Sequence, residues 1–280
     1  MKAAPFAYVR PATLDDAVAE LVRSAGEGKV LAGGQSLVPI LAMRLARPST
    51  VVDIGALSEL DFVRRDGDEL VIGALVRQRT LEGHPLAAAV PLLRLALPWI
   101  GHRELRSRGT VCGSIAHADP AAELPAVACC LGASLEIAGP RGRRTVAAAE
   151  FFHGAMATSV GSEDVLAAVR LPVARLDEGF GFAEIARRHG DFALAGVATR
   201  VRVSNGQPAE AVLTAFGVSD RPVTRDVTGL GDDDVADLAR DLVDTAGDTH
   251  GSREYRQRLV AALAVRELAR ARRAAEGGTA

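Results

Sequence analysis

Leu31-Ala32-Gly33-Gly34-Gln35-Ser36-Leu37 predicts a turn that brings the backbone close to a ligand, and Arg108-Gly109-Thr110-Val111-Cys112-Gly113-Ser114-Ile115 predicts a second. Each stretch follows an apolar or extended segment and leads into a helical one. Because glycine has no Cβ, backbone N–H groups can approach phosphate oxygens in such turns. Two of them in one chain indicate a ligand with more than one phosphate.

Neither stretch has the spacing of a common nucleotide motif. G-x-G-x-x-G is absent from both, as is the Gly-Lys-Ser/Thr ending of ATP-binding loops. The two lysines, Lys2 and Lys29, lie outside both stretches, so we expect backbone amides and hydroxyls to meet the phosphate charge. That arrangement favours a bound cofactor over a hydrolysed triphosphate.

Composition and charge limit the possible functions. The 280 residues are 48% hydrophobic, which allows one large domain or two of ordinary size. A net charge of −2 gives no support for nucleic acid or an acidic membrane as partner. The sequence shows no secretory signal and no apolar run long enough for membrane insertion, so we expect a cytoplasmic protein. Cys112, Cys129 and Cys130 argue against a disulfide framework and exclude a four-cysteine iron–sulfur site within this chain.

The order of predicted elements favours an α+β fold. A helix after Thr13, a strand at 29–31, a helix at 37–45 capped by Ser36 and a strand at 50–54 form an initial α–β–α–β unit. Further on, Asp66-Gly67-Asp68 predicts a hairpin, and residues 85–97 have helical periodicity. Asp119-Pro120 predicts a helix with Asp119 as its N-cap and Gly132 as its end. Strands are predicted at 134–137 and 165–171.

The last third of the chain predicts three strands followed by helices. The strands are at 182–186, 193–203 and 211–218, with a turn at Asn205-Gly206, and the helices are at 232–244 and 253–274. The apolar pattern is interrupted near residues 173–180. We therefore predict a first domain at 1–175, with subdomains at about 1–55 and 56–175, and a second domain at 176–280. The final residues, 277–280, are expected to fray.

Several polar residues have both a functional and a structural interpretation. His117, Asp119 and Glu123 resemble part of a metal site, but no fourth ligand is apparent. Helix capping by Asp119 explains that residue better, and Glu123 then lies in the first turn, where it could also accept a ribose hydroxyl. Nothing in the sequence activates the Cys112 thiol, so we interpret it as a packing residue.

A third segment, Arg187-Arg188-His189-Gly190-Asp191-Phe192-Ala193, is predicted at a strand–turn–strand corner. It is either a solvated turn with an arginine–aspartate pair or a segment that brings Asp191 and Phe192 near a cofactor ring. The segment by itself does not distinguish these two interpretations.

Long motifs in the chain resemble one protein family. Ala32-Gly33-Gly34-Gln35-Ser36-Leu37-Val38-Pro39, with residues 108–125 (RGTVCGSIAHADPAAELP), resembles the FAD-binding medium subunit of molybdenum hydroxylases. The resemblance is to the aerobic carbon monoxide dehydrogenase type, which is related to the flavin domain of xanthine dehydrogenase. Glu150-Phe151-Phe152 and residues 187–193 also match in order and spacing, so the resemblance covers nearly the whole chain.

The resemblance implies two α+β subdomains that clasp FAD, then a C-terminal domain of three antiparallel strands with helices. It implies that residues 32–36 and 110–114 hold the diphosphate and ribityl region of FAD, and that Glu123 approaches its sugar. Electrons would come from iron–sulfur clusters on a small subunit, fed by a molybdenum centre on a large subunit, and leave to an external acceptor. The candidate cofactor-binding residues are Ala32, Gly33, Gly34, Gln35, Ser36, Leu37, Thr110, Cys112, Gly113, Ser114, Ala118, Asp119, Glu123, Asp191 and Phe192.

The sequence departs from the family pattern at four positions. Cys112 stands where many relatives have glycine and Ser114 where many have asparagine, and both keep the backbone amides. The xanthine dehydrogenase type has a lysine at the position of Ala183 and an acid at that of Gly190, which puts NAD as the acceptor in doubt. Two alternative functions stay open: a self-contained flavoenzyme that oxidises a small molecule, and a non-catalytic nucleotide-binding module.

Overall fold

The computed structural model describes residues 2–204 and 206–277. The helices are α1 (Leu14–Arg23), α2 (Leu37–Ala42), α3 (Gln78–Glu82), α4 (Pro91–Ala96), α5 (Arg103–Arg108), α6 (Val111–His117), α7 (Glu123–Leu131), α8 (Ala148–Phe151), α9 (Asp232–Asp241) and α10 (Arg253–Ala275). The strands are β1 (Ala7–Val9), β2 (Gly28–Leu31), β3 (Thr50–Asp53), β4 (Val63–Asp66), β5 (Glu69–Gly73), β6 (Ser134–Gly139), β7 (Gly142–Ala147), β8 (Phe152–Gly154), β9 (Ala157–Thr158), β10 (Val165–Pro172), β11 (Glu178–Ile185), β12 (Ala195–Ser204), β13 (Gln207–Phe216), β14 (Val223–Asp226), β15 (Gly247–Asp248) and β16 (Gly251–Ser252). Short 3₁₀ turns occupy Ser58–Leu60, Pro85–Ala89 and Leu97–Trp99.

The chain begins with a small parallel sheet in the order β1-β3-β2. Helix α1 starts as predicted, because the Thr13 hydroxyl accepts a hydrogen bond from the Asp16 amide at 3.1 Å. Its residues Leu14, Ala17 and Leu21 are buried, as expected for an amphipathic helix covering a sheet. All three strands end at the same sheet edge, so the residues that follow them are neighbours in space.

The second sheet is antiparallel, with strand order β4-β5-β10-β6-β7. The hairpin predicted at Asp66-Gly67-Asp68 joins β4 to β5, with Asp66 paired to Glu69. Strand β10 is the latest of the five in sequence, yet it lies between β5 and β6. Its residues Val165 and Val169 are buried in the main apolar core.

The C-terminal part has a four-stranded antiparallel sheet, β11-β12-β13-β14. The three predicted strands are its first three, and the sequence analysis missed the short edge strand β14. Alternate residues of the sheet enter two different cores: Phe182 packs with the core of the first 174 residues, and Ala183 with α9 and α10. The predicted α+β class is confirmed, while the predicted domain boundaries stay a prediction.

Several predicted elements needed correction. Helix α7 begins at Glu123 with Ala122 as its N-cap, so Asp119 does not cap it. The predicted helix at 85–97 is instead a 3₁₀ turn followed by α4, because Pro91 lacks the N–H that a continuous helix would need. Ser36 makes no side-chain capping bond to α2, which ends at Ala42 rather than Leu45. The turn predicted at Asn205-Gly206 and most of the predicted frayed terminus lie outside the described residues.

Candidate functional site: a cleft beside two glycine turns

The first glycine stretch connects β2 to α2 at the carboxyl edge of the parallel sheet. Gly34 has φ +75°, a conformation that favours glycine, and its carbonyl accepts the Val38 amide at 3.0 Å. The side chain of Gln35 turns back and donates to the Gly33 carbonyl at 3.3 Å. The turn is therefore held by its own hydrogen bonds and faces the side of the sheet where ligands of α/β units bind.

The second stretch is largely helical rather than a loop, which corrects the sequence interpretation. Thr110 is the N-cap of α6, and its hydroxyl accepts the Gly113 amide at 3.1 Å. A Cβ at Gly113 would lie only 2.5 Å from that hydroxyl, so glycine keeps the cap intact. The Cys112 thiol is buried 3.6 Å from the Ile72 carbonyl, and burial raises its pKa to about 12. Cys112 is therefore a packing residue, as expected.

The two stretches meet at Gly33. A Cβ on this buried residue would collide with the Arg108 carbonyl and lie 2.9 Å from the Gly109 Cα. The gap between these backbones is therefore closed to any side chain. A Cβ on Gly113 would lie 4.0 Å from the Ala32 Cβ, so the start of α6 is beside the same turn.

A cleft of about 490 Å³ opens beside Gly33. Its lining residues are Arg10, Leu31, Ala32, Gly33, Gly34, Gln35, Val38, Pro39, Asp53, Gly55, Arg77 and Arg108. Of the predicted site residues, only Ala32, Gly33, Gly34 and Gln35 line it. Ser36 and Leu37 lie at the start of α2 beyond the lining.

Three arginines were missed by the sequence analysis, which expected amides and hydroxyls alone to meet the phosphate charge. Arg10 follows β1 at the carboxyl edge of the sheet, while Arg77 and Arg108 come from the antiparallel part of the chain. Arg77 donates to the Arg108 carbonyl, which fixes both beside the glycine turn. Guanidinium groups suit phosphate because they present planar pairs of donors. The sequence signal was weak, since the three are far apart along the chain.

One carboxylate balances part of this positive charge. Asp53 ends β3, and its Oδ1 accepts the Gly55 amide at 2.8 Å. Its Oδ2 accepts from the Tyr8 hydroxyl and lies 4.0 Å from Arg10 Nε. The hydrogen bond to Asp53 is the largest cause that raises the pKa of Tyr8, so the phenol stays a donor. The edge of the sheet thus carries one hydrogen-bonded carboxylate beside three arginines.

Ala118 and Asp119 lie on the link from α6 to α7, Glu123 is the first residue of α7, and none of the three lines the cleft. Ala118 has a left-handed backbone (φ 51°), and its carbonyl accepts the Met156 amide at 2.9 Å. Asp119 accepts the Ala121 amide at 2.9 Å, which shapes the link rather than the helix. Ser114, in α6, bonds through its amide to the Thr110 carbonyl at 3.2 Å.

Two buried carboxyl groups meet where this link approaches the C-terminal sheet. Burial raises the pKa of Glu123 to about 7. Burial, and then the neighbouring Glu123, raise the pKa of Glu184 on β11 to about 8. Glu184 is only 4% exposed, and its Oε2 has no hydrogen-bond partner among the residues that the structure describes. A buried polar atom without a partner is costly.

The corner at residues 187–193 projects outward. Phe192 is 71% exposed, and Asp191 is also exposed, its amide bonded to the Arg188 carbonyl at 3.1 Å. His189 stacks on Trp99 with ring centroids 5.9 Å apart. The structure therefore keeps Asp191 and Phe192 apart from the arginine-lined cleft, and their suggested place near a cofactor ring stays a prediction.

Within residues 2–204 and 206–277, no group of three or more His, Cys, Asp or Glu side chains is arranged to hold a metal ion. In that same part of the chain, no helix has the length and apolar character needed to cross a membrane.

The fold and the cleft define a protein that binds a phosphate-bearing cofactor. Residues 4–174 match the family described as "FAD binding domain in molybdopterin dehydrogenase". The chain belongs to this family, and FAD is its cofactor. It is an oxidoreductase subunit, as the sequence resemblance indicated.

Relatives and solved structures agree over almost the full length. The chain is 35% identical to caffeine dehydrogenase subunit beta of a Pseudomonas species, across 97% of this chain and 96% of that protein. It is 34% identical to the carbon monoxide dehydrogenase medium chain of Afipia carboxidovorans, across 95% and 96%. A reconstituted CO dehydrogenase from Oligotropha carboxidovorans contains a chain that superposes with a TM-score of 0.93 at 34% identity, covering 97% of this chain and 99% of that one. Quinoline 2-oxidoreductase from Pseudomonas putida 86 superposes with a TM-score of 0.89 at 33% identity, covering 98% and 99%.

The residues of the cleft fit FAD. Gly33 leaves no room for a side chain where the two glycine stretches meet, and three arginines line the cleft with positive charge that would suit a diphosphate.

Proposed function

We propose that the chain is the electron-transfer subunit of a three-part molybdenum hydroxylase. A small iron–sulfur subunit supplies electrons that originate at a molybdenum centre on a large subunit, and FAD passes them to an external acceptor. FAD, when bound, supplies redox chemistry that no side chain of the protein can provide. The relatives include a carbon monoxide dehydrogenase medium chain and a nicotine 6-hydroxylase medium subunit, which supports a role as one part of an assembly.

The proposal for the site rests on Gly33, where the two glycine stretches meet. The proposed role of residues 32–36 and of the start of α6 is to present backbone to the diphosphate, with Arg10, Arg77 and Arg108 as counter-ions. Glu123 and the corner at residues 187–193 are proposed to lie along the rest of the cofactor, towards its sugar and ring. Cys112 supports packing only, since its thiol is buried.

In the described residues no His, Cys, Asp or Glu side chains are grouped to hold a metal ion, and three cysteines cannot form a four-cysteine iron–sulfur site. This favours the electron-transfer role over a self-contained flavoenzyme, and the match to an FAD-binding family favours it over a non-catalytic module.

Anaerobic rapid mixing tests the proposal. The purified chain with FAD should keep its oxidised flavin absorbance when mixed with N-heterocyclic or aldehyde substrates. Chain assembled with its two partner subunits should bleach with the substrate of the complex. Fast bleaching of the chain alone would support the self-contained flavoenzyme instead, and a chain that never assembles with partner subunits would also contradict the proposal.

A further inference from the structure

Arg256 connects two segments that are proposed to lie beside FAD. It lies in the first turn of α10 and is only 6% exposed. Its Nη1 donates to the Leu194 carbonyl at 2.5 Å and to the Gly217 carbonyl at 2.9 Å. Its Nη2 donates to Asp248 at 2.8 Å. A buried guanidinium that bonds two carbonyls fixes the distance between the chain segments that carry them.

The Leu194 carbonyl belongs to the base of the corner. The Leu194 amide donates to the Ile185 carbonyl at 2.8 Å, which closes the corner that contains Asp191 and Phe192. Asp248 connects to the other side of the corner through its own hairpin. It accepts the His250 amide at 2.8 Å, and the His250 ring lies 3.1 Å from the Arg187 guanidinium. The corner is therefore held at both ends by groups that depend on Arg256 or its partner.

Gly217 directly follows β13, at the point where this end of the strand contacts the link between α6 and α7. The Gly217 amide donates to the Pro120 carbonyl at 2.9 Å, between Asp119 and Glu123. Gly217 has φ +73°, and a Cβ there would come within 2.8 Å of the Ala193 carbonyl. The corner, the end of β13 and the link thus meet within one hydrogen-bonded network that has Arg256 at its centre.

We propose that Arg256 is a positioning residue that sets the geometry between the corner at 187–193 and the link at 118–122. This rests on the proposed function, because it matters for electron transfer only if these two segments flank FAD. The C-terminal helix would then control the environment of the flavin without touching it.

The test compares Arg256→Ala with Arg200→Ala in the full chain carrying FAD. Arg200 is a matched control: it is a part-buried arginine on β12 of the C-terminal sheet, and it pairs with Glu178 and Glu210. Amide hydrogen exchange at Leu194 and Gly217, visible circular dichroism of the flavin and its midpoint potential are measured for both. Arg256→Ala should speed exchange at both amides by about tenfold or more and shift both flavin signals. Arg200→Ala should lower the Tm without changing the exchange rates of these two amides or the flavin signals.

Two further variants keep the test decisive if Arg256→Ala does not fold. Arg256→Lys should partly restore the flavin signals, since an ammonium can still reach one carbonyl, and Asp248→Asn should give a smaller shift in the same direction. Arg256 variants that behave like Arg200→Ala would overturn the inference. If the flavin signals change in Phe192→Ala but not in Arg256→Ala, the role of Arg256 is wrong and the corner still lies near the flavin. If the signals change in neither variant, the proposed place of the corner is wrong as well.

Discussion

Gly33 is the residue on which the two glycine stretches depend. Its Cα faces the Arg108 carbonyl and the Gly109 Cα, so even a methyl group would separate them. The sequence predicted that glycine was needed here, but for approach to a ligand. The structure adds a second reason, which is the approach of one backbone to another.

Gly33→Ala should therefore lose most of its bound FAD, while Gly83→Ala should keep it. Gly83 has an ordinary backbone and open space where its Cβ would lie, so it controls for the substitution itself. Flavin absorbance per mole of purified protein gives the result, with far-ultraviolet circular dichroism to verify folding. Full FAD content in folded Gly33→Ala would show that the junction is not part of the site.

Arg77 tests the counter-ions that the sequence analysis missed. Arg77→Ala should weaken FAD binding about tenfold to a hundredfold, the usual effect of losing a charge-assisted hydrogen bond. Arg79→Ala is the control, because Arg79 is two residues away and pairs with Glu82 outside the cleft. Titration of FAD into apoprotein at two salt concentrations measures both affinity and its salt dependence. Equal affinities for the two variants would remove Arg77 from the site.

At the scale of elements, predictions succeeded where one local signal was enough. Thr13 capped α1 and Asp66-Gly67-Asp68 made a hairpin, because a few neighbouring residues determine such features. Helix α6 was missed because its glycine and hydroxyl residues are typical of loops, and the Thr110 cap only acts once the helix has formed. The arginines of the cleft could not be found, since their proximity depends on how two sheets pack.

The burial of two carboxyl groups, Glu123 at the start of α7 and Glu184 on β11, predicts a pH-dependent stability for the chain without FAD. The pKa values of Glu123 and Glu184 rise from 4.5 to about 7 and about 8 on folding. Between about pH 4.5 and pH 8 the folded chain binds more protons than the unfolded chain. Its free energy of unfolding therefore falls as the pH rises through this range. Each group can contribute up to ~1.4 kcal/mol per pH unit.

Glu184→Gln should flatten this dependence and raise the Tm above that of the unsubstituted chain at pH 8, because the amide stays neutral. Glu104→Gln, at an exposed position on α5, is the control. Thermal unfolding from pH 5 to pH 9 gives both slopes. If Glu184→Gln leaves the slope of Tm against pH unchanged, the Glu184 carboxyl is not responsible for the pH dependence of stability.

The corner provides a prediction about electron transfer. Phe192→Ala should change the flavin potential or its reactivity with oxygen more than its affinity for FAD, since an exposed aromatic ring can pack near the flavin without gripping the diphosphate. Potentiometric titration and stopped-flow oxidation measure the first two, and Leu176→Ala, at a fully exposed apolar residue outside the corner, is the control. A lower FAD content with an unchanged flavin potential would show that Phe192 contributes to FAD binding and not to the properties of the flavin.

Across the whole molecule, one sheet is shared between two cores. Phe180, Phe182 and Phe216 pack with the core of the first 174 residues, whereas Val197 and Leu213 pack with α9 and α10. Sequence periodicity predicted these strands but could not show that both faces would be buried. The C-terminal part therefore completes the first core as well as its own. The predicted cytoplasmic location stays a prediction.

The central place of β10 has a consequence for how the chain is made. Residues of β5 and β6 leave the ribosome well before residues 165–172, so each waits with an open edge on the side that β10 will fill. Open edges of apolar strands recruit other chains. A chain truncated near residue 150 would be prone to aggregate, and the second sheet can close only after its last strand has been synthesised.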